Sequence, residues 1–334
     1  MTSAGWLLGL AVTAASGLSV PVEQYELENG LTVLLSQDAR LPVAAVEMVY
    51  LVGSANERPG RSGFAHLFEH LMFQGSQHYD HDYFTPFEPI GADVNGTTSE
   101  DRTNYFERVP KNYLDLALWM ESERLEYLLP ALTQEKFDNQ REVVKNERRQ
   151  RYDNQPYGLA WEWLGHTLYP AGHPYYERPI GSMRDLDAAS LDDARSFFQQ
   201  YYAPKNSALV VVGDFDVPEL KRTIERYFAH IPPGQRAKTP DAQPVELETV
   251  KHVTLPDDVK LPRIYLAWPS PALFEPGDAE LDLFSNVLSE GKTSRLYKPL
   301  VYDQKIAKTV EAYQVSQRLS GLYVIEATAA PGVS

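Results

Sequence analysis

His66, Glu69 and His70 are the residues of this 334-residue chain whose types and spacing point most directly to chemistry. Phe64, Leu67, Phe68, Leu71 and Met72 recur around them at helical spacing, and a helix puts positions i, i+3 and i+4 on one face. Two imidazoles one turn apart can grip a single zinc ion. Glu69, between them and not needed as a ligand, is placed to take a proton from water on that metal. The order H-x-x-E-H inverts the commoner H-E-x-x-H zinc motif. The competing reading is a surface helix that carries two histidines and an acid for no chemical reason. A third ligand separates the two.

Glu147 is the candidate. Thr133 is a good N-cap for a helix running to about Tyr152, and Phe137, Val144 and Glu147 share one face of it. A carboxylate on the apolar side of a helix needs a partner, because burying it unpaired is costly. A zinc ion would supply one. A salt bridge to Arg141, Arg148, Arg149 or Arg151 would supply another, and the helix pattern alone leaves both open.

These helices must be held by a sheet. Gln24–Leu34 reads as a hairpin turning at Glu28-Asn29-Gly30, Val43–Val52 as a central strand, and Ala208–Gly213 as a buried one. Ser62 is the expected N-cap of the motif helix, which should stop near Gly75. Gly91–Thr98 and Thr103–Val109 look like paired strands, and Asn112–Leu129, Leu191–Tyr202 and Val217–His230 look like helices. Tyr152–Gly181 reads as loop-rich, with Pro156, Pro170, Pro174 and Pro179; its His166 and His173 are structural histidines on this reading. Pro232 to Pro244 forms a polar linker. Beyond it, strands at Glu246–Thr254 and Arg263–Trp268, a helix over Asp278–Ser289, Tyr313 and a strand at Leu322–Thr328 make a second α+β unit. The expected division is a signal segment over 1–21, a first domain carrying the candidate zinc site over 22–232, a linker over 233–245 and a partial second domain over 246–334.

Composition narrows the chemistry. A net charge of -15 leaves no basic stripe for phosphate, which argues against nucleic acid as a partner. With no cysteine, disulfides and thiolate ligands are excluded and any metal must sit on His, Asp or Glu. The 43% of hydrophobic residues allow large cores. Trp6–Val12 followed by Ala14, Ala15, Ser16 and Gly17 resembles the apolar core and cleavage region of a secretory signal, although no Lys or Arg follows Met1. The expected location is periplasmic or secreted, with the cytoplasm as the alternative.

With these residues in place, the sequence resembles the pitrilysin/insulinase zinc metallopeptidases, the inverzincins, which include the mitochondrial processing peptidases. Their pattern is H-x-x-E-H with a glutamate ligand roughly 70 to 80 residues further on; Glu147 lies 77 residues after His70. Asp93–Asp101 is similar to the family's active-site edge strand, Pro204–Phe215 to the strand after its substrate-side loops, and Gly291–Tyr297 to a helix start in the second domain. The resemblance implies an α+β fold of two related α/β-sandwich domains of processing-peptidase type, with 22–232 as the catalytic zinc peptidase domain and the second incomplete here. It implies Zn²⁺ on His66, His70 and Glu147, Glu69 as general base, and a peptide substrate along Asn95, Gly96 and Thr97. Many members carry a second glutamate seven residues before the ligand. Here that position is Gln140, which could still hydrogen-bond behind the ligands.

The activity so implied is that of a zinc endopeptidase hydrolysing peptides or small unfolded polypeptides. The acidic chain points towards peptides with basic residues. A partner subunit or further C-terminal sequence would close the cavity. The alternatives are a non-catalytic partner subunit of the same fold and a zinc-dependent peptide-binding module.

Overall fold

The computed structural model describes residues 20–242 and 245–333; the apolar run at Trp6–Val12 lies outside them. The hydrophobic alternation builds first a six-stranded sheet. Its strands are β1 (Glu23–Glu26), β2 (Thr32–Gln37), β3 (Val43–Tyr50), β4 (Asp93–Thr98), β5 (Thr103–Pro110) and β6 (Ser207–Gly213), in the order β1-β2-β6-β3-β5-β4. β1 and β2 form the expected hairpin, β3 is central, and β4 is an edge whose only neighbour among the described residues is β5. β6 runs parallel to β2 and antiparallel to β3.

Period-two patterning makes this sheet one-sided. On β3, Ala44, Val46, Met48 and Tyr50 are fully buried, while Ala45, Glu47 and Val49 lie on the opposite, partly open face. Helices α1 (Phe64–Leu71), α2 (Leu114–Ala131), α3 (Gln134–Arg148), α4 (Ala160–Leu168), α5 (Met183–Ala188), α6 (Leu191–Tyr201) and α7 (Val217–Phe228) follow the strands. Phe68, Leu118, Leu125, Phe198, Ile224 and Phe228 from these helices share one core with the sheet. Each such side chain contributes about 1.5–3 kcal/mol of burial free energy.

Several expectations need correction. Tyr152–Gly181 is not only loop: it contains α4, and α5 follows, capped by the Ser182 hydroxyl. Lys111–Tyr113 form a tighter turn before α2 proper begins at Leu114. The strand expected at Glu246–Thr254 does not form, and no regular element occurs among the described residues between α7 and position 263. Its Val250 is 80% exposed, so its β-branched residues find no sheet to pair with. Gly291–Leu296 is a series of turns, with a helical turn only over Lys298–Asp303.

The second sheet contains β7 (Arg263–Ser270), β8 (Ala307–Val315) and β9 (Gly321–Ala329), in the order β7-β9-β8. Helix α8 (Asp278–Ser289) lies on β8, where the Ser289 hydroxyl accepts the Ala312 N–H at 2.9 Å. The architecture is therefore mixed α+β, as expected. The α4 region joins the two units. Leu168, Tyr169 and Tyr175 pack with Leu322 and Val324 of β9, and the Tyr157 hydroxyl donates to the Leu261 carbonyl at 2.6 Å.

Candidate metal centre and active site

Helix α1 sits between core and site. Phe64, Leu67, Phe68 and Leu71 fill the core, which leaves His66, Glu69 and His70 facing α3 and β4. The helix does not start as expected. Gly63, at φ 86°, precedes it, and a Cβ there would lie 2.8 Å from the Ile180 carbonyl oxygen. Ser62 is no cap: its hydroxyl donates to Asp185 at 2.8 Å. The Glu57 carboxyl oxygens instead accept the N–H groups of Gly63 and Ala65 at 3.1 and 2.7 Å at the start of the helix, and these bonds oppose the burial that raises the group's pKa. A side chain from the preceding loop thus does the work the sequence assigned to Ser62.

The Thr133 hydroxyl accepts the Lys136 N–H at 3.2 Å and starts α3 where the sequence predicts. Near the far end of that helix, Glu147 Oε2 lies 3.3 Å from His70 Nε2 and 3.7 Å from His66 Nε2. One ligand atom from each of the three residues falls within 4.8 Å of the other two. Donors on one tetrahedral zinc at about 2.0–2.2 Å stand roughly 3.3–3.6 Å apart, so the spacing and the N, N, O chemistry fit that ion. The other oxygen, Oε1, bonds Arg151 at 2.8 Å. The arginine salt bridge expected for an inward Glu147 is made through one oxygen, and the other faces the two imidazoles.

The local electrostatics suit ligation. Burial, and then the neighbouring His70, push His66 down to about 4, which keeps its ring neutral and its lone pair free. The contact with His70 holds Glu147 below the usual carboxylate range against the opposing effect of burial. Burial raises Glu69, with the Thr98 hydroxyl and His70 acting the other way. Thr98 donates to Glu69 Oε2 at 2.5 Å.

β4 brings the edge strand to this carboxylate. Gly96 is buried, and a Cβ there would meet Tyr105 Cδ1 at 3.1 Å and both Glu69 Cγ and Phe73 Cε2 at 3.2 Å. Its amide N–H is taken by Asn95 Oδ1 at 2.8 Å. Asn95 and Thr97 alternate with Gly96 and lie on the opposite, exposed side of the strand, where Thr97 shares hydrogen bonds with Arg102 and Asn104. Gln140 is buried on α3, but its amide donates to Asn139 at 3.0 Å, and no bond to the three ligand candidates occurs among the described residues. His66 Nδ1 correspondingly has no hydrogen-bond partner among them.

Comparison with known proteins agrees with this geometry. A family model described as "Insulinase (Peptidase family M16)" matches residues 32–169, and one described as "Peptidase M16 inactive domain" matches residues 188–333. The zinc protease PqqE of Helicobacter pylori is 31% identical over 316 residues, covering 93% of this chain and 70% of that protein. The chain belongs to the M16 peptidase family. The crystal structure of a protease from Helicobacter pylori superposes on this M16 chain with a TM-score of 0.86 at 30% identity, covering 94% of this chain and 76% of the other. The periplasmic protease PqqL of Escherichia coli shares the fold at 22% identity, with a TM-score of 0.77 over 94% of this chain and 36% of its own.

Two residues of the M16 site, Thr98 and Glu57, were not singled out from sequence, and the arginine partner of Glu147 was not narrowed to one. Thr98 carried a signal, since it shares the Gly96 face by strand period. Arg151 was one of four candidate arginines. Glu57 carried none, because its contact depends on how the loop before α1 folds back.

Proposed function

We propose that this chain is a zinc-dependent endopeptidase acting on peptides or small unfolded polypeptides, with Glu69 as general base. The observation that carries the reading is the convergence of His66, His70 and Glu147, with Glu69 beside them, at an open strand edge. His66, His70 and Glu147 would hold the metal. Zinc bound there supplies Lewis acidity, lowering the pKa of water from about 16 towards about 7.

The chain's own groups do the rest. Thr98 fixes one oxygen of Glu69, and the other has no hydrogen bond among the described residues, so it can accept the proton of the attacking water. The pKa of Glu69, raised by burial, also lets that carboxyl return the proton to the leaving amine. An extended peptide pairs with the free edge of β4 around Asn95, Gly96 and Thr97, where backbone bonds give affinity with little sequence preference. The net charge of -15 favours basic peptides.

In this reading residues 22–232 carry the catalytic site, 233–245 are the linker, and 246–334 belong to the second domain of the same family. A second half or subunit completes the enclosure. The relatives support that part: one is described as a beta subunit of a mitochondrial processing peptidase, and the chain covers 36% of the Escherichia coli protein. That protein is described as periplasmic, and the apolar Trp6–Val12 run is consistent with the same location here.

The test is digestion of an unstructured peptide by the zinc-loaded protein, with and without chelator, followed by mass spectrometry. Fragments should appear and chelator should abolish them. Glu69→Gln should retain zinc and lose about 10²–10⁴-fold in rate, the usual contribution of a general base. Cleavage indifferent to chelator would contradict the metal mechanism, and peptide binding without cleavage would favour a non-catalytic, peptide-binding subunit.

A further inference from the structure

The hairpin of β4 and β5 turns at residues 99–102, and both units grip that turn. From the first unit, the N–H groups of Ser54 and Ala55 donate to the carbonyls of Ser99 and Glu100 at 3.2 and 2.9 Å. Arg178 donates to the Glu100 carboxylate at 2.6 Å. From the second unit, the Arg318 N–H donates to Asp101 Oδ2 at 3.1 Å. Tyr175 stands between them, 3% exposed. Its hydroxyl donates to the two oxygens of Asp101 at 2.8 Å each and accepts the Leu319 N–H at 2.8 Å. One phenol therefore joins the tip of the edge hairpin to the turn between β8 and β9.

We infer that Asp101 and Tyr175 are positioning residues, a clasp through which the second unit fixes the free edge of β4 beside Glu69. Neither touches the reacting atoms. Asp101 is three positions from Thr98, whose hydroxyl donates to Glu69, and among the described residues β4 is paired on one side only. A strand held at one edge and at its tip is already ordered when a peptide arrives. Without the tip contact, ordering the strand is charged to the binding step, so peptide affinity falls first.

The kinetic part of this inference rests on the peptidase reading; the structural part does not. Tyr175→Phe removes the hydroxyl and leaves the ring on Tyr169, 5.9 Å away between centroids. Tyr157→Phe is the control, because its hydroxyl also joins the units, at Leu261, yet bonds no residue of the hairpin. Hydrogen exchange of the full chain should show the amides of residues 99–102 about tenfold faster in Tyr175→Phe and unchanged in Tyr157→Phe. Asp101→Asn, which weakens the same bond from the other side, should speed the same amides. With a peptide substrate, Tyr175→Phe should raise KM about fivefold or more while kcat stays within about twofold. Equal hairpin protection in Tyr175→Phe and the parent, or equal effects of Tyr175→Phe and Tyr157→Phe, would overturn the clasp. A parent protein that cleaves no peptide would refute the peptidase reading, and exchange would still decide the clasp.

Discussion

Glu147 divides its carboxylate between two tasks, with Oε1 on Arg151 and Oε2 towards the imidazoles. Glu147→Gln keeps the shape and removes the charge, so the Arg151 contact weakens and a charged oxygen ligand is lost. Zinc affinity should fall by more than the roughly 10–100-fold typical of losing an outer partner of a metal site. Zinc content after dialysis against a chelator measures this, and a full complement would remove Glu147 from the ligand set. His66 gives a second expectation at this scale, for the metal-free protein. Its folded pKa lies at about 4 and the ordinary histidine value is 6.5, so between these values the unfolded chain binds the extra proton. The stabilisation is whole above pH 6.5 and is lost as pH falls towards 4, by up to about 3 kcal/mol. Urea titrations in chelator across that window should show the fall, and a His66→Gln variant should show less of it.

The helix and the strand that meet at Glu69 leave almost no slack. Gly96→Ala puts a methyl against Tyr105, Glu69 and Phe73 at 3.1–3.2 Å, so β4 or the Glu69 side chain must shift by a few tenths of an ångström. Hydrolysis should drop about tenfold or more, since small misplacements of reacting groups are costly. The melting temperature should fall by only a few degrees, because overpacking one site costs about 1–3 kcal/mol. Unchanged kcat/KM would show that the strand can yield without disturbing the base. Elements elsewhere show what local patterns hide. α4 escaped the sequence reading because prolines crowd its surroundings, and the partners of Trp161 and Leu168 come from the second unit. The segment at Glu246–Thr254 misled in the opposite sense. Its composition suits a strand, but a strand exists only where another offers it hydrogen bonds.

Across the whole molecule, the sheet is tied to α2 by a buried ionic group. Arg124 Nε donates to Glu121 at 2.8 Å and Nη2 donates to Glu107 at 3.1 Å, with the guanidinium 4.2 Å from the Tyr83 ring centroid and 4.3 Å from that of Tyr105. The Tyr83 hydroxyl donates to Glu107 at 2.8 Å. Arg124→Met would leave two buried carboxylates facing each other and should cost about 3–5 kcal/mol in urea unfolding. A loss below about 1 kcal/mol would mean that the carboxyls take up protons instead. Tyr105 also packs against Gly96, on the same side as Glu69 and Phe73, so this network supports the floor of the site.

Residues close in sequence were legible because helix and strand periods are local geometry: three and four positions place His66, Glu69 and His70 on one face in any helix. The same reasoning placed Thr133 as a cap, Glu147 on the inward face of α3, and the β4–β5 hairpin. Tertiary structure alone decided which oxygen of Glu147 meets the imidazoles and which meets Arg151. It set Thr98 on Glu69, replaced Ser62 by Glu57 at the start of α1, and turned Gln140 towards Asn139. These contacts join segments that only the packed sheet brings together, and a side chain's final partner is chosen by what else is within about 3 Å of it. The H-x-x-E-H spacing pointed to the chemistry and the helix pattern to Glu147, and the fold brought Glu147 to the imidazoles, set Thr98 on Glu69 and placed the strand edge beside it.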